Sequence, residues 1–138
     1  MREIKACGVL VLRGDPVQAF LLMKHRDRWD LPKGHVDENE TDIACALREL
    51  QEETGIAAAD IELDPHFCFT TIYDVQSKRF GEACRKTLVV FLARLQRDVP
   101  IVLSEHPGYQ WFFWNPPHRI QAQTIDPLLA VVERHLVP

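Results

Sequence analysis

The sequence predicts a single α/β domain over residues 1–138, with its strands in a mixed sheet. Three observations point there. Strand-like and helix-like segments interleave from one end of the chain to the other. The 138 residues suit one hydrophobic core and leave little room for a second. Apolar residues make up 46% of them, enough to fill that core, and no repeat or low-complexity linker divides the chain.

Taken in order, residues 5–12 (KACGVLVL) are apolar and β-branched, and Gly14-Asp15-Pro16 follows as a turn. Residues 17–24 (VQAFLLMK) read as a second strand, so the two form a hairpin. Residues 24–33 are a charged loop carrying Trp29. The clearest helix runs over residues 41–53, where Ile43, Ala46, Leu47 and Leu50 recur at helical spacing. Thr41 or Asn39 caps its start, and Gly55 stands where a left-handed C-terminal cap belongs. Residues 66–75 (HFCFTTIYDV) and 86–95 (KTLVVFLARL) are two more strands, linked by the polar stretch 76–85. Another short segment begins at Pro100, and residues 109–114 (YQWFFW) form an aromatic strand stopped by Pro116-Pro117. A final helix opens with Asp126 as cap and Pro127 at its first position, and Leu128, Leu129, Val132 and Leu136 give it an apolar face.

Composition narrows the function classes. No apolar run approaches the ~18 residues of a membrane span. Residues 9–12 are too short an apolar stretch for a signal peptide, so a cytoplasmic protein is expected. The sequence leaves monomer or homodimer open. Cys7, Cys45, Cys68 and Cys84 show no metal or redox spacing and are expected to be small buried hydrophobes. A net charge of −4 argues against long nucleic acid as a partner. It is compatible with a small anionic substrate, because carboxylates that hold metal ions present positive charge once loaded.

The helix over residues 41–53 breaks local rules. Glu49, Glu52 and Glu53 stand at i, i+3 and i+4, so they span only about 100° of the helix circumference. Like charges at these spacings cost about 0.2–0.5 kcal/mol per pair. They also sit in the last turn, where the helix dipole is already negative. Arg48 offsets part of this by pairing with Glu52 one turn on. A divalent cation such as Mg²⁺, which prefers carboxylate oxygens, is the natural compensation.

The spacing around these acids resembles a known family. Gly34, five residues, Glu40, seven residues, then Arg48-Glu49-Leu50-Gln51-Glu52-Glu53-Thr54-Gly55-Ile56 is similar at every specified position to the Nudix box, G-x5-E-x7-R-E-U-x-E-E-x-G-U with U a bulky aliphatic. The resemblance implies a Nudix-type α/β/α sandwich with a mixed β-sheet, and Mg²⁺-dependent hydrolysis (Mn²⁺ as substitute) of nucleoside diphosphates linked to another group. It implies that Glu49, Glu52 and Glu53 are metal ligands, with the backbone carbonyl of Lys33 as a further one. Arg48 would orient the glutamates and Glu40 would support the loop. For the general base the resemblance leaves Glu49, Glu53 and, outside the box, Glu105 open.

A narrower resemblance is to asymmetrical diadenosine tetraphosphate hydrolases. It rests on Leu31-Pro32-Lys33-Gly34-His35-Val36, Ala6-Cys7-Gly8, Lys86-Thr87, Ser104-Glu105-His106 and Tyr109-Gln110-Trp111. The chain departs at Arg28, where this likeness leads one to expect histidine. Lys33, Lys86 and Arg28 could neutralise a phosphate chain, His35 could approach it, and Tyr73, Phe80 or Tyr109 could stack on a base. Tyr109, Trp111 and Trp114 equally suit a packed aromatic strand. His25, His66, His118 and His135 are read as structural or exposed. The alternatives are a nucleoside triphosphate pyrophosphohydrolase and a catalytically silent nucleotide-binding sensor.

Overall fold

A computed structural model describes residues 1–138 and sets one strand at the centre of the molecule. β1 (Arg2–Arg13) carries an unbroken apolar run in which residues 6–12 are all buried, as a strand covered on both faces requires. It pairs in parallel with β7 (Glu82–Leu95), from Arg2 opposite Cys84 to Leu12 opposite Arg94. The other edge of β1 is shared. Its end makes the expected hairpin with β2 (Ala19–Lys24), and its middle pairs with β4 (Lys33–His35). β7 divides its outer edge between β6 (Phe69–Ser77) and β5 (Ile61–Leu63). β2 also takes β3 (Trp29–Asp30) and β8 (Gly108–Phe113). One parallel pair among antiparallel ones makes the eight-stranded sheet mixed.

Two helices cover opposite faces. Along β1, Ala6, Leu10 and Leu12 join Phe20, Leu22 and Leu88 under α2 (Ile125–Leu136), which contributes Leu128, Leu129 and Val132. The alternate residues Cys7, Val9 and Val11 join Leu21 and Met23 under α1 (Asp42–Thr54), which contributes Cys45, Ala46 and Leu50. The period-2 alternation of the strands thus feeds two cores, and the result is an α/β/α sandwich. No helix is long and apolar enough to cross a membrane. Cys7, Cys45 and Cys84 are buried, and Cys68 is exposed.

Several local expectations need correction. Residues 24–33 are not a plain loop, because β3 and the start of β4 lie there, bound by non-local partners on β2 and β1. The segment from Pro100 forms no strand. It crosses the end of α1 instead, where the Val102 N–H donates to the Thr54 carbonyl (2.8 Å). Ile43 is 46% exposed, and Cys45 takes its place on the buried stripe. Thr41 rather than Asn39 caps α1, accepting from the Ala44 N–H, and Gly55 ends it at φ 81°. Asp126 does not cap α2. The helix starts at Ile125, and the Asp126 carboxylate accepts from the Ile120 and Gln121 N–H groups, closing the preceding turn. The stretch 76–85 is mostly strand, since β6 and β7 reach to Ser77 and Glu82 and leave only a tight turn.

Candidate active site

The buried stripe of α1 continues into its acids. Cys45, Ala46, Leu50 and Thr54 are buried. Glu49 and Glu53 lie four residues beyond Cys45 and Glu49 respectively, so they project from the same side. Glu52 falls outside the stripe, and its side chain is 56% exposed. The three carboxylates therefore share a helix end but not an environment.

β4 crosses that end. A Cβ on Gly34 would fall on the Glu49 carboxylate, so only glycine leaves room for this acid. Beside it the Lys33 N–H donates to Glu53 Oε2 (2.8 Å). At Gly8, a Cβ would come within 2.7 Å of the Pro32 carbonyl oxygen, so β1 also needs glycine where β4 packs on it. Gly34→Ala is expected to displace Glu49 while the rest of the sheet persists. Turnover should fall by about 10²-fold, the typical cost of a 1 Å misplacement, with an unchanged circular dichroism spectrum.

Arg48 ties the loop to the helix. Its Nε and one terminal nitrogen donate to the two oxygens of Glu40 (2.7 and 3.0 Å). The other terminal nitrogen donates to Glu49 (2.9 Å) and more weakly to Glu52 (3.3 Å). The His35 carbonyl accepts a further bond at 3.1 Å. The main partner of Arg48 is thus Glu40, which a pairing rule based on neighbouring helix turns does not find. Arg48, with the Asp37 N–H, holds the Glu40 carboxyl down to about 2.

The two inward acids behave in the opposite way. Burial first, then the neighbouring charges of Glu49 and Glu105, pushes the Glu53 carboxyl up to about 8. Burial also raises Glu49, although Arg48 opposes it. No three His, Cys, Asp or Glu side chains are gathered into a metal cage. Arg48 instead bridges Glu49 and Glu52 through one nitrogen (2.9 and 3.3 Å). The donor set nevertheless suits a hard dication: oxygen ligands only, with two half-buried carboxylates whose mutual repulsion lacks a full counter-charge.

On the other face of the sheet the charge reverses. Gly34 points toward α1, so its neighbours Lys33 and His35 point to the α2 side, where His35 pairs with Ala6. Tyr73 and Lys86 form a cross-strand pair on that same side. Lys33 Nζ reaches Asp30 (3.4 Å). Burial first, with Lys33 nearby, lowers Lys86 to about 8. Burial, then Lys86, Arg79 and Lys33, also lowers His35. Tyr73 packs against the α2-side core, and its burial raises its hydroxyl to about 12. Tyr109 is not with this group. It is exposed and pairs with Met23, an α1-side residue, on β8.

Glu105 and Glu53 line one cavity of about 730 Å³ together with His25 and His106. The two imidazoles meet edge-to-face, with centroids 4.7 Å apart. His25 Nε2 and His106 Nδ1 are buried without a protein partner. In the sequence His106 stands beside Glu105 within the family likeness and His25 reads as structural or exposed; the structure brings both rings to this cavity. The adjacency of Glu105 and His106 was the available signal, but nothing local shows that their loop folds against the turn after β2.

The NUDIX domain family matches residues 2–135. The asymmetrical bis(5'-nucleosyl)-tetraphosphatase of Rattus norvegicus is 37% identical over 120 residues, 78% of each chain. An RNA pyrophosphohydrolase of Erythrobacter litoralis is 30% identical over 122 residues, 83% of this chain and 74% of that one. Among solved structures, a C. elegans Ap4A hydrolase binary complex has a TM-score of 0.78 at 24% identity, covering 96% of this chain and 97% of that one.

Proposed function

The chain belongs to the NUDIX family of hydrolases, and from that premise we propose that it cleaves dinucleoside polyphosphates such as diadenosine tetraphosphate, asymmetrically and with Mg²⁺ or Mn²⁺ bound. The observation that carries this reading is the two-sided strand β4. Its main chain meets the acidic end of α1, and its side chains Lys33 and His35 join Lys86 in a basic cluster. A polyphosphate laid across it meets a site for dications on one side and fixed cations on the other, which is what an anionic phosphoryl-transfer transition state requires. The 37% identity to an asymmetrical bis(5'-nucleosyl)-tetraphosphatase supports the same substrate class.

In this reading Glu49, Glu52, Glu53 and the Lys33 carbonyl would hold the dication, which would supply charge neutralisation at the phosphates and a more acidic water. Glu40 and Arg48 act through the loop, keeping Glu49 aimed inward. Water oxygen forms a new bond to phosphorus, the bridging P–O bond breaks, and its electron pair leaves with the nucleotide. The proton goes to a carboxylate. Glu105, which shares the cavity with Glu53 but stands outside the helix, is our first choice, with Glu49 and Glu53 as alternatives. Lys33, Lys86 and His35 bind the phosphate chain, and Tyr73 borders it.

A substrate panel tests this. Diadenosine tetraphosphate with Mg²⁺ should give AMP and ATP with a kcat/KM at least about tenfold above that for nucleoside triphosphates. Rapid turnover of a triphosphate with none of the dinucleotide would establish the pyrophosphohydrolase alternative. The likeness to an RNA pyrophosphohydrolase adds 5′-triphosphorylated RNA to the panel. Binding without any turnover would establish a sensor.

A further inference from the structure

The basic side of the sheet continues past Lys86 into a cleft of about 980 Å³. Two turns wall it. The turn after β2 supplies Arg26 and Arg28, and the turn between β6 and β7 supplies Lys78 and Arg79. Five Lys or Arg side chains line the cleft against one carboxylate, Asp27, on a chain whose net charge is −4. Asp27 is paired with Arg28 (3.4 Å). Arg26, Lys78 and Arg79 form no ion pair.

The β6–β7 turn is a built feature. The Gly81 N–H donates to the Ser77 carbonyl (2.9 Å) and the Phe80 N–H to Ser77 Oγ (3.2 Å). Gly81 has φ 65°, which glycine adopts without strain. Phe80 is covered by the Arg2 guanidinium, 4.1 Å from its ring centroid, and Arg2 is itself held by Glu82 (2.6 Å). Phe80 is therefore spent on fixing the turn. The cleft presents no Phe, Tyr or Trp, so it offers charge and no stacking platform for a base.

We propose that Arg26, Lys78 and Arg79 form a specificity subsite that binds phosphates beyond those held at β4, so that the enzyme favours substrates with longer polyphosphate chains. This rests on the dinucleoside polyphosphate reading above. Each added phosphate brings negative charge and acceptor oxygens, and unpaired cations on opposite walls can meet more of them as the chain lengthens. These residues select and position substrate, and the reacting atoms lie elsewhere.

The test is a K78A/R79A variant and, separately, R26A, assayed against diadenosine tri-, tetra-, penta- and hexaphosphate. These turn side chains are remote from both cores, so the fold should persist, and a circular dichroism spectrum checks it. For wild type, kcat/KM should rise with phosphate number, and its fall with added salt should steepen in the same order. In K78A/R79A, KM should rise about threefold for tetraphosphate and about tenfold for hexaphosphate, with kcat and triphosphate kinetics nearly unchanged. K78R/R79K should restore the preference. Equal losses on all four substrates, or none, would overturn the subsite. If wild type hydrolyses none of them, the substrate reading has failed instead. Calorimetric binding of inorganic tetrapolyphosphate then decides the subsite alone: weakening of about tenfold in K78A/R79A supports it, and unchanged binding overturns it.

Discussion

Glu53→Gln is expected to lower kcat by about 10²–10³-fold and, in the metal-free protein, to raise the melting temperature at neutral pH. Both effects come from one carboxylate. Burial and the charges of Glu49 and Glu105 push Glu53 up to about 8 in the folded chain, against an ordinary value of 4.5. A carboxyl whose folded value lies above its unfolded one binds its proton more tightly when folded. Its contribution to stability is therefore largest below the unfolded value, declines as pH rises through that window, and is flat above about 8. Metal-free wild type should lose stability between about pH 4.5 and pH 8 through this group. Glutamine keeps the shape and the acceptor for the Lys33 N–H, so it should remove that slope. Melting curves across the window, with wild type and variant side by side, check it. Parallel curves for the two proteins, with turnover intact, would show that Glu53 is an ordinary surface acid.

Arg48→Ala should produce the other large effect, on stability and activity together. The guanidinium joins Glu40, Glu49 and Glu52 and the His35 carbonyl in one hub. Its loss leaves those acids facing one another at the loop–helix junction. Breaking a half-buried hub of this kind costs about 2 kcal/mol, between the values for exposed and buried pairs. For a domain of this size that corresponds to a fall of about 5–10 °C in Tm. Glu49 also loses the bond that aims it, so kcat should drop by about 10²-fold. Arg48→Lys should recover little of either, because an ammonium cannot bind both Glu40 oxygens and reach Glu49 in one plane. Full recovery with lysine would mean that charge alone matters there and that the fork geometry does not.

The sequence made the main frame legible because the relevant signals are local. The hairpin of β1 and β2, the extent of α1 and its caps at Thr41 and Gly55 all follow from period, capping and turn chemistry. What stayed hidden depends on contacts far along the chain. β3 and β4 are strands only because β2 and β1 offer them open edges. Asp126 has good capping chemistry, yet the Ile120 and Gln121 N–H groups compete for its oxygens. Within the site, spacing grouped Glu49, Glu52 and Glu53 as equals. The sheet under α1 separates them, drawing Glu49 and Glu53 inward and leaving Glu52 at the surface. Tyr73 and Tyr109 both have the chemistry to stack on a base, but they lie on opposite faces of the sheet. The histidine pair beside Glu105 depends on two loops meeting, and no short-range pattern encodes such a meeting.

The proposed function requires the half-buried acidic pair Glu49 and Glu53, which repels itself when empty, to be the dication site. Calorimetric titration of Mg²⁺ into metal-free protein at about pH 7.5, repeated in two buffers of different ionisation enthalpy, reads this most directly. Saturable binding accompanied by release of protons, a stabilised fold, and loss of the proton release in Glu53→Gln are expected. Titrations that show no binding heat in either buffer, or binding that is identical in the glutamine variant, would contradict it.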